Sequence, residues 1–184
     1  MIKKWNVVNS ERLESNKIFS VRKDTSVSPV TGGEHDFFVV EASDWINVVA
    51  LTEDDEVVLI EQHRHGIQSV TVEIPGGMVD QGEEPLQTAK RELLEETGYA
   101  GANWDQIGEV FPNPAMQNNK CHTFLATNCK KVGEPNFDTT EDIITYTRPS
   151  CEIPNLVGQG KITHSLVIAA FYWYYLYKER RVSD

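Results

Sequence analysis

The stretch IPGGMVDQGEEPLQTAKRELLEETGY runs from Ile74 to Tyr99. Pro85 stands where a first-turn proline is tolerated, and Gly98 stands where a C-terminal glycine cap belongs, so the spacing predicts a helix over Pro85 to Thr97. At about 100° per residue, Leu86, Ala89 and Leu93 form its expected buried face. Glu92, Glu95 and Glu96 then share one stripe, with Glu96 nearest the core edge and Glu95 farthest from it. Glu92 and Glu96 are four apart, and without a cation such stacked like charges repel by a few tenths of a kcal/mol. A hard divalent metal reverses that sign, and donors that are oxygen only favour Mg²⁺ or Mn²⁺ over zinc. Ahead of the helix, the glycines of residues 74–83 let backbone approach a ligand closely and turn carbonyls inward. A charged helix face alone is ordinarily a solvated face. The loop spacing sets this one apart.

On either side of that stretch the chain alternates apolar runs with polar breaks. Phe37 to Ala42, Ile46 to Thr52, Val57 to Glu61 and Gln68 to Ile74 read as strands, the second and third joined as a hairpin by the acidic turn at residues 53–56. Downstream, Gln106 to Phe111, Thr123 to Thr127 and Ile143 to Thr147 read as short strands, and Ile162 to Lys178 as a closing aromatic helix. Strands around two helices without regular βαβ alternation imply a mixed α/β sandwich. The expected organisation is an N-terminal β segment over residues 1–42 and a main domain over 43–184.

Composition narrows the function classes. At 184 residues and 40% hydrophobic content, disorder, collagen and a disulfide scaffold are excluded and one globular domain with a short subdomain is expected. A net charge of -11 argues against a nucleic-acid partner. The apolar run from Leu166 to Tyr177 is too short to cross a bilayer. Met1 to Trp5 lacks the apolar stretch of a signal peptide. With Cys121, Cys129 and Cys151 forming no CxxC pair and no glycosylation sequon anywhere, the expected compartment is the cytoplasm.

Gly77, five residues, Glu83, seven residues, then Arg91-Glu92-Leu93-Leu94-Glu95-Glu96-Thr97-Gly98 resembles the Nudix box, with Tyr99 departing at the last aliphatic position. The resemblance implies a Nudix hydrolase: an α/β/α sandwich with a mixed sheet that binds Mg²⁺ or Mn²⁺ and cleaves a nucleoside diphosphate linked to another group. It implies Glu92 and Glu96 as core metal ligands beside the Gly76 carbonyl, and Glu95 at a further metal or its water. Arg91 is implied to pair with Glu95, and Glu83 to brace the loop. Residues 58–66 followed by residues 72–77, with Pro114 sixteen residues past Gly98, are similar to the ADP-ribose pyrophosphatase and nucleoside diphosphate sugar hydrolase branch. That branch places Arg64 at a phosphate and Glu73 near the nucleotide or terminal sugar. It also implies a homodimer, with Trp5, Phe19 and Trp45 as candidates for base stacking or dimer contact. The acidic segment 137–143 is the expected source of a catalytic base, Glu141 first and Asp142 as the alternative.

Two other readings have less support. His63 and His65 alternate around Arg64 as zinc ligands would, but no third ligand has suitable spacing. A non-catalytic nucleotide-sugar sensor is the alternative to an enzyme, and such sensors lose box acids that this chain keeps.

Overall fold

Val48, Val49, Ala50 and Leu51 are consecutive and all buried, which requires a strand covered on both faces. In the computed structural model, which describes residues 1–137 and 142–182, these residues lie in β4 (Trp45–Thr52), at the centre of an eight-stranded sheet. The sheet belongs to the larger of two compact units, residues 44–110 with 121–184. Its other strands are β5 (Glu56–Arg64), β6 (Ser69–Glu73), β7 (Gly76–Met78), β8 (Tyr99–Ala100), β9 (Asn103–Val110), β10 (Cys121–Lys131) and β11 (Ile143–Pro149). The central order is β11-β5-β4-β10-β8, with β6 on β5, β7 on β4 and β9 on β10. β4 and β10 run parallel, and the remaining pairs are antiparallel, so the sheet is mixed.

The period-two alternation of β4 divides the core. Val48 and Ala50 pack with Val58, Phe124, Ala89 and Leu93 against α1 (Pro85–Thr97). Val49 and Leu51 pack on the other face with Leu59, Leu125 and Ile153, the last from α2 (Ile153–Gly158), and with Phe171 and Tyr174 of α3 (Ser165–Val182). The result is a helix–sheet–helix sandwich. No helix among the described residues is long and apolar enough to cross a membrane.

Several boundaries differ from the sequence reading. Gln68 precedes β6 in a turn with φ of 51°, and Pro75 separates β6 from β7. β7 is a strand inside the glycine loop, formed because Gly76 and Gly77 pair with Asn47 and Ile46. The closing helix starts at Ser165 rather than Ile162, whose side chain is in the core ahead of it.

The second unit is Met1–Ser43 with Phe111–Lys120. It is an antiparallel meander of β1 (Asn6–Ser15), β2 (Phe19–Val27) and β3 (Glu34–Ala42). Asn16 Oδ1 closes the first turn by accepting the Ile18 and Phe19 amides at 2.8 and 2.9 Å. The return segment covers β3, with the Val40 amide donating to the Met116 carbonyl at 2.7 Å.

Candidate active site

The site is organised by α1. Gly98 ends the helix in the left-handed region at φ of 73°, its amide donating to the Leu94 carbonyl at 2.8 Å. A side chain there would strike the Gly133 carbonyl as well as strain the backbone. Thr88, Ala89, Leu93, Glu96 and Thr97 are the buried residues of the helix. Leu86 is not among them; it is 37% exposed, contrary to the expected buried face. At 100° per residue it sits about 55° from the centre of the buried arc, closer than the buried Thr97, so its exposure follows from its place in the first turn, ahead of the residues that meet the sheet.

Glu96 lies on that buried arc and is 3% exposed. Its Oε2 accepts the Gly76 amide at 3.0 Å, and its own carbonyl accepts Thr145 Oγ1 at 3.1 Å. Glu92 lies against Gly77 so closely that a Cβ at that glycine would overlap the carboxylate. Gly76 is held as firmly by the sheet, since a Cβ there would come to 2.6 Å from the Ile46 carbonyl oxygen. Glu95 is the outermost of the three, with its side chain 39% exposed.

Arg91 ties the helix to the loop. Its Nε and Nη2 donate to the two oxygens of Glu83 at 3.3 and 3.1 Å, and its Nη1 reaches Glu92 at 2.8 Å and Glu95 at 3.0 Å. Thr88 Oγ1 adds a 2.7 Å hydrogen bond to Glu83. Arg91 and Thr88 together hold the Glu83 carboxyl below the usual range, and Glu83 in turn raises the Arg91 guanidinium further.

A second group sits at the ends of β5 and β6. Arg64 donates from Nε to Glu73 Oε1 at 2.8 Å and from Nη2 to Oε2 at 2.7 Å. Thr71 Oγ1 donates to Glu73 Oε1 at 2.6 Å. Glu73 is 2% exposed; burial pushes its carboxyl up, and the hydrogen bonds from Arg64 and Thr71 outweigh that, leaving it lowered. Arg64 is raised first by Glu73, against its own burial, and Glu96 adds to the field around it.

Among the described residues no three His, Cys, Asp or Glu side chains converge closely enough to hold an ion as they stand. The chemistry of the donor set nevertheless fits a hard divalent cation. Three carboxylates lie within about one turn of α1, backbone of β7 lies against two of them, and every donor is oxygen. His63 and His65 meet edge to face at 5.0 Å and gather no third ligand among the described residues. Glu141 lies outside the described residues, and Asp142 is exposed. Trp5 packs edge-on against Phe37 at 5.3 Å within the N-terminal sheet. Thr71, Thr88 and Thr145 carry no motif in the sequence. The two-residue spacing of Thr71 from Glu73 inside the strand expected over residues 68–74 puts both on one face, and that is the signal that points to Thr71.

A mixed sheet between helices, with a glycine strand fixed against a glutamate-bearing helix, defines an α/β/α sandwich whose candidate site is built at one helix. The NUDIX domain family matches residues 44–164, and the chain belongs to that family as a Nudix hydrolase. It is 30% identical to the ADP-ribose pyrophosphatase of Mycobacterium tuberculosis over 167 residues, 90% of this chain and 80% of that one. It is 28% identical to the ADP-sugar pyrophosphatase of Mus musculus, over 91% of this chain and 84% of the relative. These similarities place it with the ADP-ribose pyrophosphatase branch. A crystal structure of an ADP compounds hydrolase shares the fold with a TM-score of 0.85 at 17% identity, covering 98% of this chain and 97% of that one.

Proposed function

We propose that the protein is a divalent-metal-dependent pyrophosphohydrolase that cleaves ADP-ribose and related nucleoside diphosphate sugars into a nucleoside monophosphate and a sugar phosphate. The observation that carries this reading is the clasp between β7 and α1, in which Glu96 holds the Gly76 amide and Glu92 fills the space beside Gly77. The activities named for the mycobacterial and mouse relatives support the substrate class.

In this reading Glu92, Glu95, Glu96 and the Gly76 carbonyl hold Mg²⁺ or Mn²⁺, with Glu95 and Glu96 closest to the chemistry. Such an ion, when bound, supplies neutralisation of the diphosphate's charge and a lowered pKa for coordinated water. Arg91 and Glu83 keep the glycine strand in register with the helix. Arg64 steadies a phosphate, with Glu73 behind it. Glu141 is the proposed base that orients the attacking water.

We also read the protein as a cytoplasmic homodimer, with the exposed Val7, Phe37 and Phe38 of the N-terminal sheet as contact residues. Sedimentation checks the oligomer, and a monomer at all concentrations ends that part of the reading. The test of the activity is incubation with Mg²⁺ and a panel of ADP-ribose, ADP-, GDP- and UDP-sugars, a dinucleoside polyphosphate and a nucleoside triphosphate. Metal-dependent release of nucleoside monophosphate from the sugar nucleotides is expected. Binding without turnover on every member would establish a sensor instead.

A further inference from the structure

We infer that Thr71 is a positioning residue for the substrate arginine, acting through the buried carboxylate of Glu73. This rests on the reading of Arg64 as a phosphate ligand and deepens it. Period-two geometry puts Thr71 and Glu73 of β6 on the same face of the sheet as Ile60, Gln62 and Arg64 of β5, in the register Glu73↔Ile60, Thr71↔Gln62, Ser69↔Arg64. The Arg64 side chain therefore runs back along the strand towards Glu73 and meets it side-on, through Nε and Nη2.

That geometry determines which donors are left. A guanidinium has five N–H groups, and the side-on pair uses one on Nε and one on Nη2. The remaining three, two of them on Nη1, meet no acceptor among the described residues and are available to a phosphate. The Arg64 side chain is 44% exposed while that of Glu73 is 3% exposed, so the carboxylate is enclosed and the arginine presents its unpaired edge outward. Glu73 is thus a support for the arginine, with both oxygens engaged inside the protein.

A buried carboxylate also needs its own orientation fixed. The side-chain hydrogen bond that does this from outside the ion pair comes from Thr71, itself 6% exposed. A hydroxyl has one proton. Thr71 Oγ1 lies 2.6 Å from Glu73 Oε1 and 3.4 Å from the Gln62 carbonyl, so the carboxylate takes the proton and the carbonyl contact is secondary. With that bond removed, Oε1 keeps only the arginine among the described residues, the carboxylate can rotate about its last torsion, and the plane of the guanidinium turns with it. A lysine in place of Arg64 cannot reproduce a planar bidentate pairing.

The test uses the full chain. Thr71→Val keeps the branched shape and removes the proton, and Thr71→Ser keeps the proton. In ¹⁵N-labelled protein the Arg64 Nε–H signal, identified by its disappearance in Arg64→Lys, is expected to exchange slowly with solvent in the wild type and in Thr71→Ser, and rapidly in Thr71→Val. KM for ADP-ribose is expected to rise about tenfold in Thr71→Val, the scale of one hydrogen bond to a charged group, with kcat falling less. An unchanged KM in Arg64→Lys would overturn the phosphate reading itself. With KM raised in Arg64→Lys, an unchanged signal and KM in Thr71→Val would overturn the role of Thr71 alone. Should the valine variant fail to fold, loss of the slow signal in Thr71→Ser would overturn it equally.

Discussion

The two sheets are paired by the same backbone hydrogen bonds and differ in what they enclose. Among the described residues, every buried hydrophobic side chain belongs to the larger unit, from Ile46 to Tyr174. The smaller unit buries Asp24, Ser26, Ser28 and Asn119, all polar, while Val7, Val8, Leu13, Phe37 and Phe38 are exposed. An antiparallel sheet needs an apolar face packed on something to be independently stable. The larger unit meets that need twice, with a core on each side of β4, and can therefore hold a glutamate as deeply as Glu96. The smaller unit is constructed as a surface, cross-linked by ion pairs from Arg22 to Asp24 and Glu41. The proposed second copy is where its exposed apolar residues would find cover.

The largest expected effect separates chemistry from stability within the larger unit. Glu96→Gln retains an acceptor for the Gly76 amide but removes the negative charge. Turnover should fall by about three orders of magnitude, with the melting temperature nearly unchanged. Rates near wild type would remove Glu96 from the proposed metal site.

Next in size is a paired substitution aimed at the contrast itself. Leu93→Ala empties a fully buried position and should cost about 2–5 kcal/mol in a denaturant melt. Phe38→Ala, at a position 57% exposed, should cost less than about 0.5 kcal/mol in dilute solution while weakening self-association seen by sedimentation. Equal costs for the two in dilute protein would mean that the smaller sheet has an apolar core after all.

The same contrast decides how much was legible beforehand. The limits of α1 could be read from Pro85 and Gly98 because capping is local chemistry, independent of what the helix packs against. β4 and β5 were visible as apolar runs because the core needs them. β1 and β2 enclose almost nothing apolar, so no hydrophobic period marks them, and their pairing is stated only by the register between them. β7 was hidden for another reason. Its glycines read as a loop until Ile46 and Asn47 are known to lie alongside. At the site, the positions of Glu92, Glu95 and Glu96 around α1 follow from helical period alone. Arg64 and Glu73 were both singled out, yet as separate substrate contacts. Their direct pairing depends on the β5–β6 register, a long-range fact, and Thr71 becomes meaningful only after that.

The smallest effect tests whether the polar anchoring of the smaller sheet contributes to stability. Asp24 accepts Arg22 Nε at 2.9 Å and Nη2 at 3.0 Å, and Ser10 Oγ at 2.7 Å. Arg22 first and Ser10 second pull its carboxyl below the usual range, against the opposing effect of burial. A carboxyl depressed by folding contributes stability that is fully present above its unfolded pKa, about 3.9 for aspartate, and is lost as pH falls through the lower folded value. The raised Arg22 contributes with the opposite sign, losing its share only in strong alkali, so it leaves the acid side unaltered. Asp24→Asn should therefore lower stability at pH 7 by about 1 kcal/mol, the upper end for partly exposed pairs. The deficit should close as pH falls below about 4, because the wild-type carboxyl then becomes neutral as well. Thermal melts of both proteins between pH 7 and pH 2 measure this. A deficit that persists undiminished at the acid end would mean that the asparagine disturbs packing, and that the ion pair itself adds nothing to the sheet.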